Sequence, residues 1–220
     1  MKTRYCIFDL DGTLINSLYD LADAMNHALS RCGFPTHDRE KYRFMVGSGI
    51  SVLADRAMVV PGGTDGERKK AVLDAFNEYY GSHYADLTRP YDGIPELLDG
   101  LDSRGVGYCV LSNKPDNFTQ EIIRRLFPGR KFAAVWGKRE DYPRKPDPSS
   151  VLAMMSSVGA DAEECLYIGD SDVDMQTAAN AGLRSIGVSW GFRPVSELIS
   201  AGADAIADTP HQILELIHNS

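Results

Sequence analysis

Six short apolar runs, "RYCIFD", "GYCVLS", "FAAVWG", "CLYIGD", "RSIGVSW" and "ADAIAD", punctuate the chain, each bounded by polar or glycine residues. Runs of this length, separated by segments long enough for crossover helices, predict a mostly parallel, doubly wound α/β sheet of Rossmann type with helices on both faces. The gap between the first and second runs is far longer than one crossover needs. Within it Leu18, Leu21, Met25, Ala28 and Leu29 recur at helical spacing and Gly33-Phe34-Pro35 stops that helix. Further helical stretches are expected over 38–46, 50–60 and 65–85, with no strand among them. The organisation expected is therefore a core of residues 1–16 and 88–220 with a small helical module, 17–87, inserted after the first strand. The chain would re-enter the core through "TRPYDGIP", and no repeat or low-complexity tract interrupts it.

A formal net charge of −8 argues against non-specific nucleic-acid binding, which depends on lysine and arginine neutralising phosphates. An anionic ligand would need a local positive site. No apolar stretch approaches the roughly 20 residues that span a bilayer. Lys2 and Arg4 are followed by too short an apolar run for a signal peptide before Asp9 intervenes. Cys6, Cys109 and Cys165 sit inside strand-like runs, as reduced, buried thiols do, so a cytoplasmic location is expected. There is no C-x-x-C pair, no H-E-x-x-H and no ligand spacing among the histidines, which speaks against zinc.

The chemistry gathers at the ends of the runs. Asp9 and Asp11, in "FDLDGT", are two apart and share a side where the first strand frays into a turn. Taken alone, a turn cap explains them equally well. The second run ends on Ser112 and Asn113, ordinary loop caps, or a hydroxyl with N–H groups that would clamp a phosphate. In "RKPDPSS", Asp147 as N-cap with Pro148 at the first helical position reads as a plain helix start. Lys145 is left over, and a lysine there could neutralise clustered acids and hold a phosphate. Asp170, Asp172 and Asp174 in "GDSDVD" imitate the opening of an EF-hand loop. The required glycine and glutamate are replaced by Met175 and Ala181, so that reading fails. What remains for an acid cluster at a strand end is a hard cation such as Mg²⁺.

These four pieces, in this order, resemble the motifs of the haloacid dehalogenase superfamily of phosphohydrolases, and the likeness covers the whole chain. The inserted helices are similar to that superfamily's small helical cap. "VGSGISVLADRAM", "SNKP", "AANAG" and "GVSWGF" look closest to its phosphoglycolate phosphatase branch. The resemblance implies that Asp9 is the nucleophile, forming an aspartyl phosphate, and that Asp11 gives a proton to the leaving group and then activates water. It implies Mg²⁺ held by Asp9, the backbone carbonyl of Asp11 and Asp170, with Asp174 in support, and a phosphate clamp of Ser112, the Asn113 backbone and Lys145. Dehalogenases need no acid two residues after the nucleophile, so Asp11 favours phosphoryl transfer.

On the inserted module, Gly47-Ser48-Gly49 reads as a flexible tip or a plain inter-helix turn, and Arg56 as a carboxylate-binding or merely solvated arginine. The expected substrate is a small phosphorylated metabolite, 2-phosphoglycolate first. The alternatives are another sugar phosphate, a nucleotide, a phosphomutase or, in a different class, a phospho-accepting signalling module.

Overall fold

The computed structural model describes residues 3–58 and 66–218. In chain order its elements are β1 (Tyr5–Phe8), β2 (Ile15–Asn16), α1 (Leu18–Arg31), a 3₁₀ helix (Arg39–Phe44), α2 (Ile50–Ala57), α3 (Gly66–His83) and β3 (Arg89–Pro90). There follow α4 (Ile94–Arg104), β4 (Gly107–Pro115), α5 (Asp116–Leu126), β5 (Ala134–Lys138) and α6 (Ser149–Val158). The last are β6 (Cys165–Gly169), α7 (Asp172–Asn180), β7 (Arg184–Val188), α8 (Val195–Ser200), β8 (Ala205–Ala207) and α9 (Pro210–His218). Val59, Val60 and Asp65, at the edges of two expected helices, and Lys2, part of the signal-peptide test, lie outside the described residues.

The chain divides into two compact units, Met1–Asn16 with Pro90–Ser220, and Ser17–Arg89. The first is built on a six-stranded sheet in the order β5-β4-β1-β6-β7-β8, every pairing parallel. All six apolar runs of the sequence become its strands. Ile7, Cys109, Leu111, Cys165 and Tyr167, from the three central strands, share a buried cluster with Val151 and Met154 of α6. Burial pushes the thiols of Cys109 and Cys165 up to about 12 and about 11, and all four cysteines are free. Among the described residues no helix is long and apolar enough to cross a membrane.

In the second unit α1 packs along α3. Leu18, Leu21, Met25, Ala28 and Leu29 form the buried stripe of α1, and His27 stacks on Tyr79 at 4.4 Å between ring centres. The helix expected over 38–46 is a 3₁₀ helix over Arg39–Phe44 instead. The Asp38 carboxylate caps it by accepting from Glu40 N at 2.8 Å, and tertiary bonds anchor it: Tyr42 is buried with its hydroxyl donating to Asn26 at 2.7 Å, and the Asn26 amide exchanges bonds of 2.8 and 2.9 Å with the His37 backbone. The unit also runs two residues past the expected 87/88 boundary. The buried carboxylate of Asp20 explains this, because it accepts from Leu87 N at 3.0 Å, Thr88 N at 2.8 Å and the Thr88 hydroxyl at 2.6 Å. The stretch expected to lack strands contains two short ones, β2 and β3.

Candidate active site

Strand order sets the site. The chain leaves β1 for β4 and β5 on one side and returns to β6, β7 and β8 on the other, so the direction of winding reverses beside β1. Open parallel sheets leave a crevice at the carboxyl ends of the strands at such a point. Asp9 follows β1 there and its N–H donates to Ile168 of β6 at 2.9 Å, which puts it beside Asp170, the residue after β6. Gly12 turns the chain at φ +93°, and a Cβ there would lie 2.3 Å from the Asp170 carboxylate; no other residue fits so close an approach. The Thr13 hydroxyl reaches Asp170 at 3.4 Å, and the Phe192 N–H donates to its other oxygen at 2.7 Å.

From the opposite side, β4 continues past Ser112 to Pro115, with its register broken between Leu111 and Pro115. Ser112, Asn113 and Lys145 are all buried. The Asn113 side chain is spent on the backbone of Lys145, accepting from its N–H at 2.9 Å and donating to its carbonyl at 3.2 Å. So held, Lys145 extends its ammonium to Asp9 at 2.8 Å, Asp174 at 2.8 Å and the Leu111 carbonyl at 3.0 Å, using all three donors. The helix after Lys145 begins at Ser149, one residue later than the Pro148 start expected. Pro148 is its cap residue, its carbonyl accepting from Leu152 N at 3.0 Å, and the Asp147 carboxylate accepts from Ser149 N at 2.9 Å. Asp174 sits in the first turn of α7, where its second oxygen accepts from the Ser171 hydroxyl at 2.6 Å and N–H at 3.2 Å.

Asp9, Asp170 and Asp174 offer carboxylate oxygens that all lie within 4.8 Å of one another, and all three are buried. Burial raises the proton affinity of Asp9, against the opposing pull of Lys145, and the neighbouring carboxylate of Asp174 adds to it. Burial, then Asp174 and Asp9, hold Asp170 well above the carboxylate range. Burial also disfavours charge on Lys145, but the carboxylates of Asp174 and Asp9 outweigh it and keep the ammonium charged. Ionised together, the three carboxylates would outnumber the one ammonium by two charges in a low-dielectric site, which with burial is why Asp9 and Asp170 hold protons more tightly. A small divalent cation with hard oxygen preference fits both the charge and the donor set.

Asp11 faces elsewhere. Its carboxylate takes the Lys114 ammonium on both oxygens, at 3.0 and 3.1 Å. Lys114 received no role from the sequence, although it stands two residues beyond Ser112 as Asp11 stands two beyond Asp9, the same strand alternation. The bond from Phe192 N–H to Asp170 and that from the Trp190 indole to the Thr13 carbonyl at 3.0 Å also went unforeseen. The "GVSWGF" segment was legible only as a family likeness.

The remaining expected residues, Gly47, Ser48, Gly49 and Arg56, belong to the helical unit. There the exposed Arg56 guanidinium donates to the Met45 carbonyl at 2.9 Å and the Ser48 hydroxyl at 3.4 Å, so it braces the glycine turn that precedes α2.

The family model of haloacid dehalogenase-like hydrolases matches residues 6–188. A Pseudomonas aeruginosa protein named phosphoglycolate phosphatase 1 is 35% identical over 200 residues, 88% of this chain and 73% of that one. From the same organism, N-acetylmuramic acid 6-phosphate phosphatase is 29% identical over 218 residues, covering 99% of this chain and 96% of its own. Among solved structures, a Lactobacillus delbrueckii subsp. bulgaricus protein described as a candidate phosphoglycolate phosphatase superposes with a TM-score of 0.94 at 33% identity, covering 99% of both chains.

Proposed function

The chain belongs to the haloacid dehalogenase-like hydrolases, and from that membership we propose that this phosphoric monoester hydrolase is Mg²⁺-dependent and acts on 2-phosphoglycolate through an aspartyl phosphate on Asp9. The observation that carries the mechanism is the Lys145 ammonium shared between Asp9 and Asp174. It keeps one oxygen of Asp9 oriented while the other is left to attack phosphorus. Ser112, the Asn113 N–H and Lys145 bind the transferring phosphoryl oxygens, where donors fixed in advance stabilise developing charge most. Asp11 protonates the leaving alkoxide as its bond to phosphorus breaks, then accepts a proton from the water that cleaves the aspartyl phosphate. Asp9 and Asp170 would hold Mg²⁺ with Asp174 supporting, and the cation would supply neutralisation of charge between an anionic nucleophile and an anionic phosphate.

The substrate rests on relatives and on chemistry. Phosphoglycolate differs from inorganic phosphate chiefly by a carboxylate, which an arginine such as Arg56 suits. A second reading, a phosphorylated sugar, is favoured by the muramic acid 6-phosphate phosphatase that matches over nearly its full length. Phosphate release measured across 2-phosphoglycolate, sugar phosphates including N-acetylmuramic acid 6-phosphate, and nucleoside monophosphates separates the two. The highest kcat/KM is expected on 2-phosphoglycolate. A preference of ten-fold or more, roughly 1.4 kcal/mol, for a sugar phosphate would replace it.

A further inference from the structure

Two buried lysines serve this site, and each attends different carboxylates. Lys145 attends Asp9 and Asp174, whereas Lys114 attends Asp11. We propose that Lys114 is the positioning residue of Asp11, fixing the plane and location of the carboxyl that passes the proton. This rests on the reading of Asp11 as proton donor and goes beyond it by assigning what aims the donor.

The geometry carries the inference. Asp11 lies on the turn after β1, and Lys114 lies on the last stretch of β4, the strand paired with β1. The Lys114 side chain is only 3% exposed and that of Asp11 13%. One ammonium contacting both oxygens, at 3.0 and 3.1 Å, removes the carboxylate's freedom to rotate about its own axis. The lysine's own main chain is pinned, its N–H donating to the Ser112 hydroxyl at 3.2 Å, so a residue of the phosphate clamp and the lysine that holds the proton donor stand two residues apart on one strand end.

A purely structural purpose explains this poorly. Burying an ion pair is costly, and an apolar pair of similar volume usually stabilises as well or better. In the reaction, the O–P bond to Asp9 forms as the P–O bond to the leaving group breaks, and the Asp11 proton passes to the departing oxygen. In the second half water attacks phosphorus, its proton goes to Asp11, and inorganic phosphate leaves Asp9 as the carboxylate. Asp11 must reach the departing oxygen and later the water from nearly one location, and Lys114 defines that location.

A misplaced donor matters only when the leaving group needs a proton. The test compares kcat/KM on 2-phosphoglycolate, whose alkoxide needs one, with 4-nitrophenyl phosphate, whose phenolate leaves without help. The ratio within one variant is independent of how much of the protein has folded. In Lys114→Met the alkyl-to-aryl ratio should fall roughly ten-fold or more, a fraction of the 10²–10⁴ that general acid catalysis commonly supplies. Lys114→Arg should recover part of it, and adding Lys114→Met to Asp11→Asn should move the ratio no further. Equal losses on both substrates in Lys114→Met would overturn the proposal and make Lys114 a phosphate ligand or a structural residue. If Asp11→Asn also treated both substrates alike, the donor reading of Asp11 would itself be wrong, and the inference would fall with it. A bias in Asp11→Asn without one in Lys114→Met would sink the inference alone.

Discussion

The carboxamide of Asn113 holds the peptide backbone of Lys145 at both ends, accepting from its N–H at 2.9 Å and donating to its carbonyl at 3.2 Å. Thirty-two residues of chain separate the two. The reach of the Lys145 ammonium to Asp9 and Asp174 therefore depends on a side chain that was expected to serve only through its own main-chain N–H.

Replacing that carboxamide tests the dependence. Asn113→Ala leaves the buried N–H and carbonyl of Lys145 without their partner, at a cost of about 1–3 kcal/mol in stability. Chemical denaturation should show that loss. In the fraction that remains folded, turnover of 4-nitrophenyl phosphate should drop about ten-fold, equivalent to ~1.4 kcal/mol of lost transition-state stabilisation. Wild-type turnover in a destabilised variant would mean that Lys145 keeps its place without Asn113.

Asp9→Asn should abolish turnover on every substrate, because an amide cannot form the acyl phosphate. Stability should barely suffer. Burial already opposes charge at Asp9, and Lys145 keeps Asp174 and the Leu111 carbonyl as partners. A melting midpoint within a few degrees of wild type, in metal-free buffer, is the expected companion result. Appreciable residual activity in this variant would exclude the covalent mechanism.

Metal binding should be visible without catalysis. The three-carboxylate cluster is short of positive charge, so Mg²⁺ at a hundred times its dissociation constant should raise unfolding free energy by about 2.7 kcal/mol. Asp170→Asn should lose that increment. Activity should vanish in chelator, and Ca²⁺ should inhibit because its larger, looser coordination shell misplaces Asp9. Undiminished activity in chelator, or Mg²⁺ stabilising Asp170→Asn as much as wild type, would remove the metal from the reading.

Arg56→Ala examines the helical unit. If Arg56 recognises the substrate carboxylate, kcat/KM on 2-phosphoglycolate falls by roughly one to two powers of ten, the value of a charge-assisted bond of ~1.5–3 kcal/mol, and 4-nitrophenyl phosphate is nearly unaffected. Its bonds to Met45 and Ser48 supply the alternative: equal losses on both substrates would make it the brace of the 47–49 turn and nothing more.

The sequence by itself determined what depends on neighbours along the chain. Apolar runs such as "YCIF" and "CLYIG" become parallel strands because burial on both faces needs continuous apolar side chains. The Asp9 and Asp11 spacing and the stripe on α1 follow from two-residue and 3.6-residue periods that any reader can count. Only the tertiary structure decided which distant polar groups meet. Lys114 answers Asp11, Asn113 answers Lys145, and Phe192 answers Asp170 because β1 lies between β4 and β6 and the loop after β7 folds back over Asp170. The same cause fixes Tyr42 of the 3₁₀ helix, whose buried hydroxyl bonds to Asn26 on α1. Hydrogen bonds and ion pairs act over about 3 Å in space regardless of separation in sequence, so no local pattern encodes their partners.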